Sequence, residues 1–296
     1  MVQWLIDTDG GIDDVQALVL ALRSPMPLLG ISLVAGNVPL PQVQSNVLEV
    51  LLRTHRTDLP VYPGASRPLV QPFTDARQCH GEDGLGGYWS KTAPHPLPDL
   101  VSKETAAEAI IRLAGEAQGG IGIVTLGPLT NLALALLLDQ SLAEKLQRVV
   151  VMAGAETGNG NISISAEFNI HWDPEAAHIV FTRLPHIEVL TWEATISPCN
   201  AVSEAVLCDY LTERTELGRF LRQCTSPNKK ILCDVMAVAV ALRRDIVMEW
   251  REGWMGVELQ GVRGMTIFSH RRPSNVHLVK RLDMSIFSSL ILHSVS

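Results

Sequence analysis

A short apolar run, Trp4-Leu5-Ile6, passes directly into Asp7-Thr8-Asp9-Gly10-Gly11-Ile12-Asp13-Asp14. Beyond it, Val15, Leu18, Val19 and Leu22 recur at i, i+3, i+4 and i+7, the spacing of one helix face. The run before the acids reads as a buried strand, so the acids fall on a strand-to-helix turn. Open α/β sheets place their ligands at such turns. Four negative charges this close repel one another unless a cation neutralises them. Carboxylate oxygens suit Ca²⁺ or Mg²⁺ rather than a soft metal. A helix dipole favours Asp13 and Asp14 in a first turn, and Asp9 can cap a turn. That explains two acids well and four poorly.

The same strand-then-helix alternation continues. Leu28–Val34 reads as a second strand ending at Gly36-Asn37, and Pro41 opens a helix with Val43, Val47, Val50 and Leu51 on one face. Val61-Tyr62 reads as a short strand. Residues 68–98 form a long polar stretch rich in proline and glycine, and loops of that length are uncommon unless functional. Ser102 is expected to cap a helix through Ile110, Ile111 and Ala114. Ile121–Leu126 suits a buried central strand; Leu129–Leu138 is an apolar helix and Arg148–Ala153 a further strand. Asp173-Pro174-Glu175 is a helix start with a cap, a proline at the first position and an acid in the first turn. Ile187–Leu190 is the next strand, and residues 203–244 read as mostly helical. Val257–Gln260, Met265–Phe268 and Val276–Val279 are expected to be short antiparallel strands before a last helix over 283–292. The pattern predicts one α/β domain over residues 1–296, an open and mainly parallel sheet flanked by helices.

Composition narrows the function classes. Of 296 residues, 47% are hydrophobic and 19% charged, which argues for a folded globule. A net charge of −7 leaves no electrostatic footprint for a nucleic-acid polymer. The apolar runs Leu132–Leu138 and Met236–Leu242 are too short to cross a membrane. Cys79, Cys199, Cys208, Cys224 and Cys233 form no C-x-x-C pair, and their odd number fits thiols in a reducing compartment. With no signal segment before Trp4, a cytoplasmic protein is expected.

Several polar groups stand where the alternation puts loops. Asn37 should share a sheet edge with the acids. His80-Gly81-Glu82-Asp83-Gly84-Leu85-Gly86-Gly87 sets a histidine among glycines but lacks a phosphate-loop Lys-Ser/Thr ending. Asn159-Gly160-Asn161 and Glu167-Phe168-Asn169 offer amides and a carboxylate able to bind several hydroxyls at once, as a sugar requires. Asp234 interrupts the apolar segment Ile231–Leu242, which holds no Lys or Arg before Arg243. An unpaired buried acid costs several kcal/mol, so a metal shared with the N-terminal acids would resolve it.

Together these stretches resemble the inosine–uridine-preferring nucleoside hydrolase family. The resemblance rests on Asp7–Asp14, Gly36-Asn37, Pro60-Val61-Tyr62-Pro63-Gly64-Ala65, His80-Gly81-x-Asp83-Gly84-Leu85 and Gly127-Pro128-Leu129-Thr130-Asn131-Leu132. It continues through Gly160-Asn161, Ala166-Glu167-Phe168-Asn169-Ile170 and Asp173-Pro174-Glu175-Ala176-Ala177. It implies a Rossmann-like fold, a bound Ca²⁺, hydrolysis of the N-glycosidic bond of ribonucleosides, and a homodimer or homotetramer. By motif position, Asp9, Asp14 and Asp234 match the side-chain calcium ligands and Leu126 the residue that gives a carbonyl. Asp13, Asn37, Asn161, Glu167 and Asn169 match the ribose-binding set, and His80 a histidine near the substrate. Asp9 is the expected base toward water. Cys233 departs from the usual histidine that protonates the departing base. His171, Trp89 and Trp172 are further candidates for touching the base. Two other readings remain: a non-catalytic nucleoside or sugar binder, and a Mg²⁺ phosphatase suggested by Asp7-x-Asp9-Gly10 but lacking a late Gly-Asp-x-x-x-Asp.

Overall fold

The computed structural model describes residues 2–196, 202–225 and 231–296. Cys199 and residues 226–230 of the expected helical region lie outside the described residues. The first half alternates as β1 (Gln3–Thr8), α1 (Ile12–Leu22), β2 (Leu28–Leu33), α2 (Leu40–Arg53), β3 (Val61–Tyr62), then short α3 (Arg77–His80) and α4 (Tyr88–Lys91). Next come α5 (Ala106–Glu116), β4 (Ile121–Thr125), α6 (Thr130–Leu138), α7 (Leu142–Lys145), β5 (Leu146–Met152), α8 (Phe168–Trp172), α9 (Pro174–Arg183) and β6 (Ile187–Leu190). The remainder holds α10 (Trp192–Ile196), α11 (Glu204–Tyr210), α12 (Glu216–Cys224), α13 (Cys233–Leu242), β7 (Val247–Val257), β8 (Thr266–Ser269), β9 (Val276–Leu282) and α14 (Met284–Ser294).

The strands form one sheet in the order β3-β2-β1-β4-β5-β6-β9-β7-β8. Pairing is parallel from β3 through β9, and antiparallel where β7 meets β9 and β8. Side chains of a strand point to alternate faces, and both faces are covered. Ile6, Val124 and Val150 join α1 and α13 in one core, while Leu5, Ile123 and Val149 join α5, α6 and α9 in another. The chain leaves β1 toward β2 and β3, then returns to β4 on the other side, so the strand order reverses between β1 and β4. Crevices at such a reversal are where open sheets bind ligands.

Some boundaries differ from those the sequence pattern predicts. The cap of α5 is Thr105, whose hydroxyl and backbone pair reciprocally with Glu108, while Ser102 accepts only the Glu104 amide. Of the strand expected at 257–260 only Val257 is in a strand, as the last residue of β7. β7 itself runs from Val247 and is not expected from the sequence, its exposed positions giving no regular apolar pattern. The tail is also not wholly antiparallel, because β9 continues the parallel sheet beside β6. The long stretch 68–98 holds α3 and α4. Asp173 does cap α9, accepting the Ala176 amide. Cys208, Cys224 and Cys233 carry free thiols. Among the described residues, no helix is long and apolar enough to cross a membrane.

Candidate functional site

The turn after β1 is built by its own side chains. Asp14, in the first turn of α1, accepts from the Thr8 hydroxyl at 2.5 Å, from the amides of Asp9 and Gly11, and from Asn37 Nδ2 at 3.1 Å. Asp9 is fully buried and faces Asn37, which donates its backbone N–H to Oδ2 at 2.8 Å and its Nδ2 to Oδ1 at 3.0 Å. Two glycines make room for that carboxylate. A Cβ on Gly36 would stand 2.2 Å from Asp9 Oδ2, and one on Gly127 would stand 2.9 Å from its Cγ. Asp7 belongs to β1 and turns elsewhere, accepting from Ser32 and Asn131.

From the far end of the chain, α13 brings Asp234 to the same place. The helix starts at Cys233, so Asp234 lies in its first turn rather than mid-helix. Carboxylate oxygens of Asp13, Asp14 and Asp234 lie within 4.8 Å of one another, all three residues buried. Among the described residues no Lys or Arg ion pair reaches them. Burial, then the neighbouring Asp14, pushes Asp13 up to about 7. Burial and the charges of Asp13 and Asp14 raise Asp234, and burial with Asp14 raises Asp9. Acids held this way favour either protonation or a cation. The donor set is all oxygen, which fits a hard divalent ion. Leu126, just past β4, lines the same cavity. The converging trio holds Asp13 where the sequence motif points to Asp9, whose oxygens are instead engaged by Asn37.

A cavity of about 250 Å³ opens above these acids. Asp13, Asn37, His80, Leu126, Asn161, Glu167, Asn169, Cys233 and Asp234 line it, whereas Asp9 and Asp14 do not. Glu167 caps α8 through the amides of Asn169 and Ile170 and also accepts from Gly154 N–H. Burial raises Glu167 despite those bonds. Asn169 Nδ2 straps the ends of β4 and β5 by donating to the carbonyls of Leu126 and Met152. Asn161 Oδ1 accepts the Phe168 amide. His80 Nδ1 accepts the Ile12 amide at 3.1 Å, which leaves the ring proton of the neutral imidazole on Nε2. Burial, then the charge of Asp13, pushes the Cys233 thiol far up, and Thr195 hydrogen-bonds it.

Two expected contacts to a base fall away. Trp172 is buried, donates to the Thr74 carbonyl and packs edge-on to Phe73. Trp89 stacks on His95 and donates to Asn46. Neither they nor His171 lines the cavity, whereas Trp192, Phe168, Ile162 and Gln78 do. Gln78, Phe168 and Trp192 sit in helices of only four or five residues and Ile162 in a loop, all too short to show a sequence periodicity. The Glu167-Phe168-Asn169 motif was the one hint, through Phe168.

The sequence profile described as "Inosine-uridine preferring nucleoside hydrolase" matches residues 4–289. The pyrimidine-specific ribonucleoside hydrolase RihA of Escherichia coli is 36% identical over 287 residues, covering 90% of this chain and 88% of that protein. The probable uridine nucleosidase 2 of Oryza sativa subsp. japonica is 36% identical over 78% of this chain, which spans 64% of that relative's length. In three dimensions, an inosine–guanosine nucleoside hydrolase superposes with a TM-score of 0.90 at 28% identity, covering 99% of this chain and 98% of that one. A purine-preferring ribonucleoside hydrolase from Gardnerella vaginalis gives 0.89 at 26% identity, over 99% and 98%.

Proposed function

The chain belongs to the inosine-uridine preferring nucleoside hydrolase family, and we propose that it hydrolyses the N-glycosidic bond of ribonucleosides with a bound Ca²⁺. One observation carries this reading. Acids some 220 residues apart in sequence, Asp13 with Asp14 and Asp234, converge beside a cavity lined by the amides of Asn37, Asn161 and Asn169 and the carboxylate of Glu167. Asp9, Asp14, Asp234 and the Leu126 carbonyl would hold the ion, with Asp13 beside them. When bound, such an ion supplies charge neutralisation and Lewis-acid polarisation.

The chain's own residues account for the rest. Asp13, Asn37, Asn161, Glu167 and Asn169 take the ribose hydroxyls and fix the ring above the acids, a gain in orientation that lowers the barrier. Loss of the base leaves positive charge on the sugar, as in glycoside cleavage generally. Carboxylates fixed around the ribose stabilise that charge more than the neutral ground state. Asp9 takes the proton from the attacking water. The base departs past His80, Cys233, Phe168 and Trp192 of the cavity lining, where the His80 imidazole or the Cys233 thiol would give it a proton. Similarity to both pyrimidine-specific and purine-preferring proteins leaves the base open to either class. The free thiols fit a reducing, cytoplasmic setting.

The test is release of free ribose from uridine, inosine and adenosine, with and without EGTA. Ribose released only with calcium is the expected result. Asp9→Ala is expected to lower kcat at least about 100-fold, the scale of a lost general base, while the protein still melts cooperatively. Phosphate release from a generic ester in place of ribose release would overturn the reading, and so would a fully active Asp9→Ala enzyme.

A further inference from the structure

The glycine-rich segment that ends in Trp89 is fastened to the acidic turn by a side chain that neither motif contains. Asn46, on α2, is fully buried, and its amide makes four hydrogen bonds. Its Nδ2 donates to the carbonyl of Gly10 at 2.8 Å, inside the acidic turn, and to the carbonyl of Asp83 at 2.9 Å, inside the His80 segment. Its Oδ1 accepts from Trp89 Nε1 at 2.8 Å and from Gln42 Nε2 at 2.9 Å. Those are all the donors and acceptors a carboxamide has.

The surfaces it joins are in close contact. Gly84 has φ +73°, and a Cβ there would stand 3.1 Å from Asn46 Nδ2 and 3.3 Å from the Gly10 carbonyl. A Cβ on Gly11 would stand 2.6 Å from His80 Nδ1. The Asp83 carboxylate closes the far side of the segment by accepting from the amides of Leu85, Gly87 and Trp89. His80 reaches the turn through the Ile12 amide. Its place in the cavity therefore depends on how the segment is seated.

Building on the hydrolase reading above, we propose that Asn46 is a positioning residue that seats the His80 imidazole against the acidic turn by tying Gly10 to Asp83 and Trp89. It acts through His80 and does not itself line the cavity. An apolar residue of the same size would fill the space but would leave the Gly10 and Asp83 carbonyls and the Trp89 indole without their buried partner, a cost that unseats the segment.

The experiment is a double-mutant cycle in the full chain. Asn46→Leu is expected to lower kcat/KM for ribonucleoside cleavage by at least about tenfold, yet by less than about twofold in a His80→Ala background. Hydrogen exchange of the Ile12 amide, whose acceptor is His80, is expected to quicken at least about tenfold in Asn46→Leu. An equal loss of activity in both backgrounds would overturn the proposal, as would an Ile12 amide that exchanges at the wild-type rate. Should Asn46→Leu not fold, Trp89→Phe removes one of the four bonds, and the same two measurements on it support or overturn the proposal in the same way. The exchange measurement involves no nucleoside chemistry. A wild-type protein silent on nucleosides would therefore refute the hydrolase reading while the seating of His80 is still tested.

Discussion

Cys233 stands where the family resemblance leads to the expectation of a histidine. Its thiol lines the cavity, is buried, and is held protonated by that burial and by the charge of Asp13. A protonated thiol beside a departing base can give it a proton, but packing alone would also fill the space. The two differ in their dependence on the leaving group. Cys233→Ala should slow cleavage of uridine or inosine by about 100-fold, the lower end of what general acid catalysis contributes. It should barely touch a riboside of p-nitrophenol, which leaves without a proton. An equal loss on both would assign the sulfur to packing. Which residues could be read from the sequence follows the same physics. Asp13, Asn37, Glu167 and Asp234 stand out because a polar group next to an apolar run demands a partner. Trp192 and Gln78 do not, since a single side chain on a one-turn helix gains its neighbours only on folding.

Among elements, the strands were legible where both faces are buried: β1, β4 and β5 are near-continuous apolar runs. The outer strand β7 was not, because four of its eleven residues are exposed and only three are buried. The segment after α3 was the least legible. Its anchor is Glu49 on α2, three residues beyond Asn46, which accepts from the Tyr88 hydroxyl at 2.5 Å, from Arg53 Nε at 2.8 Å and from His95 Nε2 at 2.6 Å. Burial alone would raise Glu49, but its hydrogen bonds to Tyr88, Arg53 and His95 outweigh that and hold it below the usual range. The bond to Glu49 raises His95. Burial pushes Tyr88 up to about 12, and Arg53 keeps its charge, so the raised His95 and the lowered Glu49 carry the pH dependence of this group. A raised histidine contributes stability fully below its unfolded value near 6.5 and loses it as pH climbs through the folded value. A lowered glutamate contributes above about 4.5 and loses it only in acid. The latch is therefore firmest between those limits. Amide protection over 88–95, corrected for intrinsic exchange, should fall as pH rises above about 6.5. His95→Gln should flatten that fall, and an unchanged profile in the variant would remove His95 from the latch.

For the whole molecule, the sheet's two cores follow from strand alternation, but the convergence of Asp234 on Asp13 and Asp14 requires the complete topology. Helix α13 packs on α1, and that contact sets its first turn beside the acidic one. Three buried acids that meet no Lys or Arg among the described residues form a candidate cation site. Any ion that binds the native but not the unfolded state stabilises it by RT ln(1 + [L]/Kd), about 2.7 kcal/mol at a hundredfold excess over Kd. For a chain of 296 residues that is a rise in Tm of about 4 °C. Calcium added to EGTA-treated protein should produce this rise, and Mg²⁺ a smaller one, because it resists dehydration. The ligands must lose their protons to bind, so the increment should grow as pH rises from about 5.5 to about 7.5. Asp234→Asn should shrink it at every pH. A melting temperature indifferent to calcium across that range would mean the acids are kept neutral by protons instead, and would take the cation out of the site.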